Sequence, residues 1–164
     1  MISIKNKQSG FTIIELLIVI VVIGILAGLV LTTFNGIQAK ARDTERETDI
    51  KALHAQIEAF WAQKGYYPSL TDMNNRTATT GFVAVNLKGL DAGAFQDPKA
   101  AGTNPDYLAA ATATGVVRYI YNVKTSADAS CEADDTTCAK YTLTANLEGT
   151  LNGSNTYSKT SLNN

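Results

Sequence analysis

Reactive side chains are scarce in this chain of 164 residues, which holds one histidine, two cysteines and one tryptophan. Two cysteines alone lack the further ligands that a zinc site needs. His54, with no second histidine anywhere, reads as an ordinary helix residue with no catalytic role. No nucleophile–base pair, phosphate-cradling glycine loop or metal cluster can be picked out, so the sequence argues against an enzyme and implies no cofactor. A dominant charge is missing too: 14 Lys and Arg face 15 Asp and Glu, for a net charge of −1. Neither a nucleic-acid footprint nor a strongly acidic surface is signalled by that balance. Internal repeats and low-complexity tracts are also absent. With 45% hydrophobic residues, the composition is that of a folded protein with one core and an additional element.

The most informative absence is local. From Leu16 to Leu31 there is no polar side chain, and with Phe11–Glu15 the stretch is long enough to cross a bilayer, which takes roughly 20 helical residues. Lys5 and Lys7 precede it, so the positive-inside bias places the N-terminus in the cytoplasm and the residues after Leu31 outside. A cleaved secretory signal would have a shorter apolar region with a small-residue site at its far end. Ile25-Leu26-Ala27 is a mediocre site of that kind, so the segment is expected to stay attached. Glu15 stands one helical turn into the apolar run, where an unpaired charge is costly and marks a functional position.

A short basic leader ending in Gly10, then Phe11, then Glu15 at the fifth position after that glycine, then an unbroken apolar run: this pattern resembles the prepilin-peptidase signal of the type IV pilin and pseudopilin superfamily. The motif covers roughly the first 35 residues, and the charged helix from Lys40 that ends in Gly65-Tyr66-Tyr67-Pro68 is pilin-like as well. The resemblance implies cleavage between Gly10 and Phe11, N-methylation of Phe11, and a contact between Glu15 and the amine of a neighbouring subunit. A carboxylate in an apolar bundle is tolerated when paired, and a charged terminus suits it. It further implies a homo-oligomeric helical filament assembled from a membrane pool, with prepilin peptidase and a pilus assembly machine as partners.

Gly24, Gly28, Thr32 and Gly36 recur every four residues, as in small-xxx-small helix interfaces, where close contact supplies the attraction that lipid tails do not. The alternative is that these glycines loosen the helix, each by about 1 kcal/mol relative to Ala. Many pilins carry a helix-breaking proline where this chain has Thr32, which leaves open whether the segment unwinds as theirs do.

Beyond the membrane segment, Ile50, Leu53, Ile57, Phe60 and Trp61 recur at helical spacing behind a charged stretch, and Gly65 and Pro68 end the helix. One helix is therefore predicted from about Thr12 to Lys64, roughly 80 Å at 1.5 Å per residue. Phe82–Val85 suggests a short strand in an otherwise irregular segment. Val116–Lys124 and Lys140–Glu148 read as paired antiparallel strands, with Tyr141, Leu143, Ala145 and Leu147 on one face. Asn152-Gly153 is a turn signal that returns Thr156–Ser161 as a third strand. The predicted fold is α+β: a long N-terminal helix, its first half transmembrane or protruding, packed by its second half on a small antiparallel sheet. The expected divisions are a leader (1–10), a membrane and polymerisation helix (11–34) and a globular part (35–164). The last comprises helix to about 64, a variable loop (66–115) and the sheet (116–162).

Cys131 and Cys138 fall between the two better strands, and an extracytoplasmic location makes a disulfide the expectation. Asp128, Glu132, Asp134 and Asp135 crowd the same loop and offer Ca²⁺ ligands of the kind some pseudopilins use. Their spacing matches no defined calcium loop, and a solvated acidic loop is the preferred reading. The function expected is a structural subunit of a surface filament, extracellular after assembly. The alternatives are a pseudopilin of a type II secretion or DNA-uptake system, or a minor pilin at a filament tip. Without Lys5 and Lys7 the mature chain holds twelve basic against fifteen acidic residues, near −3, which disfavours nucleic acid as a partner.

Overall fold

Helical periodicity and the glycine stop set the first element, α1 (Ile13–Lys64), a single helix of 52 residues. The computed structural model describes residues 11–100, 108–110 and 119–163. Two compact units divide the chain, Met1–Gln38 and Ala39–Asn164. Hydroxyls that would otherwise compete with the helix are absorbed by it. Thr33, Thr44 and Thr48 donate to the carbonyls four residues back, at 3.0, 2.9 and 2.9 Å. At the far end Gly65 adopts φ +81°, the left-handed turn that stops a helix and that glycine takes without strain.

In the second unit the core-facing stripe is the one the spacing predicts. Ile50, Leu53, Ile57 and Phe60 are buried in one cluster with Tyr121 and Val123 of β1 (Ile120–Thr125) and Tyr141, Leu143 and Ala145 of β2 (Cys138–Leu151). Trp61 is half-buried and stacks on Tyr67 with ring centroids 6.1 Å apart. The sheet has the order β1-β2-β3, antiparallel throughout, with β3 at Ser154–Thr160. Register pairs Tyr121 with Leu143 and Val123 with Tyr141 across one edge, and Ala145 with Tyr157 across the other. Asn152 and Gly153 both have positive φ, 51° and 83°, the primed turn that suits a two-residue hairpin. The expected first strand is observed from Ile120 and runs one residue further, to Thr125; Val116, Val117 and Arg118 lie outside the described residues.

The segment between helix and sheet corrects one expectation. Phe82–Val85 is not a strand but part of a short helix, α3 (Phe82–Asn86), which follows α2 (Leu70–Asn74). Its β-branched residues are overridden by local turn geometry. Gly81 sits so close to the backbones of Asn75 and Thr77 that any Cβ would collide with them, and its carbonyl accepts from Val85 N at 3.1 Å. Val83 N reaches back to Asn75 O at 3.2 Å, which closes the turn and leaves no free ladder edge for a strand. Ser69 and Asp72 cap α2 reciprocally, and Asp91 caps the 3₁₀ turn Ala92–Phe95.

A charged residue forms the hub of this unit. Arg46, 2% exposed, meets Asp97 through two parallel bonds (Nε–Oδ2 2.8 Å, Nη2–Oδ1 2.9 Å). Its Nη1 donates to Asp43 at 2.7 Å and to Glu148 at 3.0 Å. Glu148 is held in turn by Arg42 and Lys99, and Asp43 accepts from the amides of Glu148 and Gly149. Three cations face three anions, so the hub is neutral. It ties α1 to the Asp97 loop and to the distal part of β2. Removal of Asp97 alone would take the two-bond partner from a buried guanidinium and leave the hub one charge positive, at a cost of about 3 kcal/mol, whereas a well-packed apolar replacement of the whole group would be far milder.

Beside it, Asp49 accepts from Tyr119 Oη at 2.7 Å, and burial pushes its carboxyl up to about 6, reinforced by Glu45, Asp91 and Asp97. A carboxyl whose folded value lies above its unfolded value of about 3.9 contributes full stability below that pH and loses it as the pH rises through about 6. Asp49→Asn should therefore gain nothing near pH 4 and about 1–2 kcal/mol above pH 6, after discounting for partial exposure. Urea unfolding of both proteins across that range checks it.

Candidate functional site

The first unit is built around Phe11–Ile37. Thr12 starts the helix: its Oγ1 accepts from Glu15 N at 3.3 Å, while Thr12 N and Oγ1 donate to Glu15 Oε2 at 2.8 and 2.7 Å. This reciprocal arrangement satisfies helix-start donors that would otherwise lack a partner in the helix, and it locks the Glu15 rotamer. Glu15 thus has a partner within its own chain as well as the expected one in a neighbouring subunit. The spacing Thr12-Ile13-Ile14-Glu15 is a capping-box pattern and was legible. Both local bonds end on Oε2, and Oε1 accepts none among the described residues. The carboxylate is thus positioned and still able to take a cation. Gly10, Lys5 and Lys7 lie outside the described residues.

Every large apolar side chain from Phe11 to Ile37 is exposed in the single chain, from 48% for Val22 to 89% for Ile13. The helix carrying them is apolar and long enough to cross a membrane. Such a surface must be removed from water by lipid or by other protein. Around Gly24, Gly28 and Gly36 an added Cβ would meet nothing within 4 Å, so the fold of one chain does not demand glycine at these positions. The side chain of Thr32, third in the stripe, lies outside the described residues.

The loop before β2 is a second constellation. Cys131 and Cys138 are joined in a disulfide with Cα atoms 5.8 Å apart, and both pack against the core. Asp128 and Asp134 adopt positive φ, 63° and 59°, which Asp tolerates better than most residues. Asp128 Oδ1 lies 2.9 Å from Lys140 Nζ, a hydrogen bond that holds its carboxyl below the usual range. Asp135 accepts from Thr137 Oγ1 at 2.6 Å and Thr137 N at 2.8 Å, with the same effect. Asp128, Glu132, Asp134 and Asp135 are therefore not brought together as one ligand set. Among the described residues, the group of three ligand atoms found here is Cys131, Asp135 and Cys138, and its two sulfurs are bonded to each other.

Residues 5–31 match the family model described as a prokaryotic N-terminal methylation motif. The type IV major pilin protein PilA of Myxococcus xanthus is 39% identical over 61 residues, 37% of this chain and 28% of that protein. The type II secretion system core protein G of Aeromonas hydrophila is 38% identical over 65 residues, 40% of this chain and 46% of that protein. The chain thus spans between about a quarter and a half of these two relatives. The fimbrial protein EcpC of Eikenella corrodens is 32% identical over 115 residues, 70% of each chain. No solved structure gives a significant match.

Because the space beside Gly28 is empty in one chain, Gly28→Ile should alter the stability of the unit Ala39–Asn164 by less than about 0.5 kcal/mol. The same change should sharply reduce self-association of the helix in membranes. Urea unfolding and a membrane two-hybrid assay read the two effects separately. Unchanged association would favour a loosening role for the glycines.

Proposed function

Because the chain belongs to the type IV pilin and pseudopilin superfamily, we propose that it is a structural subunit of a pilus-like filament, assembled from the membrane by helix packing. The observation that carries this reading is the wholly unburied apolar surface Phe11–Ile37, with one positioned carboxylate at its start. Prepilin peptidase cuts between Gly10 and Phe11 on the cytoplasmic side, and the new amine of Phe11 is methylated. The subunit waits as a single-pass membrane protein and leaves for the cell surface when an assembly machine extracts it.

Extraction exchanges lipid contacts for helix contacts, so specific attractions must decide the register. Glu15 is suited to that role. Its Oε2 is fixed by Thr12, which leaves Oε1 to take the amine of a neighbouring subunit's Phe11 as partner. Gly24, Gly28, Thr32 and Gly36 permit close approach along one side. The division 1–10, 11–34 and 35–164 then corresponds to leader, polymerisation helix and displayed domain, with the Cys131–Cys138 loop on the displayed part. The superfamily's role is structural, and no catalytic step is assigned to this chain.

A second reading is favoured by the similarity to core protein G over 65 residues: a pseudopilin that forms a short fibre from the same signal. Both readings place the same burden on Glu15. Glu15→Leu should leave leader removal and methylation intact, as judged by mass spectrometry, yet reduce filament yield by an order of magnitude or more, the consequence of an unpaired buried amine. Normal fibre yield from this variant would contradict the pairing.

A further inference from the structure

His54, the single histidine, is not an ordinary surface residue of α1. Its Nδ1 lies 2.6 Å from Tyr141 Oη, and the same Oη lies 3.0 Å from Glu58 Oε1. Glu58 collects two further donors, Tyr67 Oη (3.1 Å to Oε2) and Leu162 N (3.2 Å to Oε1). Asn163 Nδ2 then donates to Tyr67 Oη at 3.3 Å. Four separate pieces of chain converge here: α1, the segment after it, β2 and residues 162–163.

Counting protons fixes the direction of the bonds. Burial raises the Tyr67 and Tyr141 phenols above their ordinary value, so each keeps its one hydrogen at neutral pH. An ionised Glu58 can only accept, so Tyr141 must spend its hydrogen on Glu58. A His54 Nδ1 lone pair would then face the lone pairs of Tyr141 Oη at 2.6 Å, a repulsive contact. The contact is favourable only if Nδ1 carries the proton and donates. Burial lowers the His54 value, Glu58 works against that and Lys159 adds to it, so the ring is neutral and its proton is on Nδ1 rather than Nε2.

We propose that Glu58, Tyr141 and His54 form a directed hydrogen-bond clasp, with His54 in its Nδ1–H form, that straps Leu162 and Asn163 onto α1 and lets go when the Glu58 carboxylate is replaced by an apolar side chain. In the clasp, donation runs His54 to Tyr141 to Glu58, and Oε1 also accepts from Leu162 N. The ionisable groups facing the pair are Lys159 from β3, Tyr121 and Tyr141 from the sheet, and Tyr67 from the segment after α1. Lys51, one turn before His54, is engaged by Glu47 at 2.7 Å.

The test is ¹⁵N NMR of the full chain in detergent micelles at neutral pH, in which the one histidine needs no assignment. The expected result is a neutral ring protonated on Nδ1; a ring protonated on Nε2 would overturn the clasp whatever any variant does. Glu58→Met leaves Tyr141 no acceptor but His54, so the proton should move to Nε2. Amide exchange at Leu162 should then quicken on the order of tenfold, the loss of one bond to a charged acceptor, while Leu143 in β2 is unaffected. Unaltered exchange at Leu162 in that variant would equally sink the proposal.

Discussion

An apolar helix surface that its own chain never covers is the constraint from which the rest of this protein follows. Roughly 25 cal/mol for each Å² of apolar surface left in water makes the exposed run Phe11–Ile37 untenable in isolation. It has to be taken up by a bilayer or by other helices. Lipid and packed helices are nearly equal in apolarity, so the hydrophobic effect brings the segment out of water without choosing between them. Choice and register must come from groups that distinguish the two environments, and the segment offers few: one carboxylate, its capping threonine, a set of small residues, and Thr33 and Asn35 toward its far end.

The globular unit answers a different demand, since it must hold a small sheet on one helix with a modest core. Apolar spacing supplies the face from Ile50 to Phe60, and polar groups then fix position along it. Arg46 joins α1 to residues 51 and 102 positions away in sequence, and Glu58 gathers residues up to 104 positions away. Both are charged groups inside a low-dielectric setting, where a complete set of partners specifies geometry and an incomplete one is expensive. The disulfide closes the loop entering β2, limiting the chain entropy of that loop while its two cysteines pack against the core.

Features set by local pattern were legible in the sequence. The 3.6-residue spacing of Ile50, Leu53, Ile57 and Phe60, the alternation of Tyr141, Leu143 and Ala145, the Asn152-Gly153 turn and the Gly65 stop all recur in the structure. The reading failed where partners are distant. Arg46 is one of several charges in the stretch before Ile50, and Asp97 and Glu148 cannot be paired with it from sequence spacing. His54 looked unremarkable for the same reason. Phe82–Val85 failed differently, since β-propensity is outvoted when a glycine-dependent turn gives the segment no ladder to join. The Thr12–Glu15 cap is a local signal, a threonine followed three residues later by a glutamate at the head of an apolar run.

Electron microscopy of material sheared from cells expressing this chain, combined with mass spectrometry of its main subunit, tests the filament account most directly. The account predicts fibres whose subunit begins at an N-methylated Phe11. A chain that still begins at Met1, confined to membranes with no fibre containing it, would contradict the account.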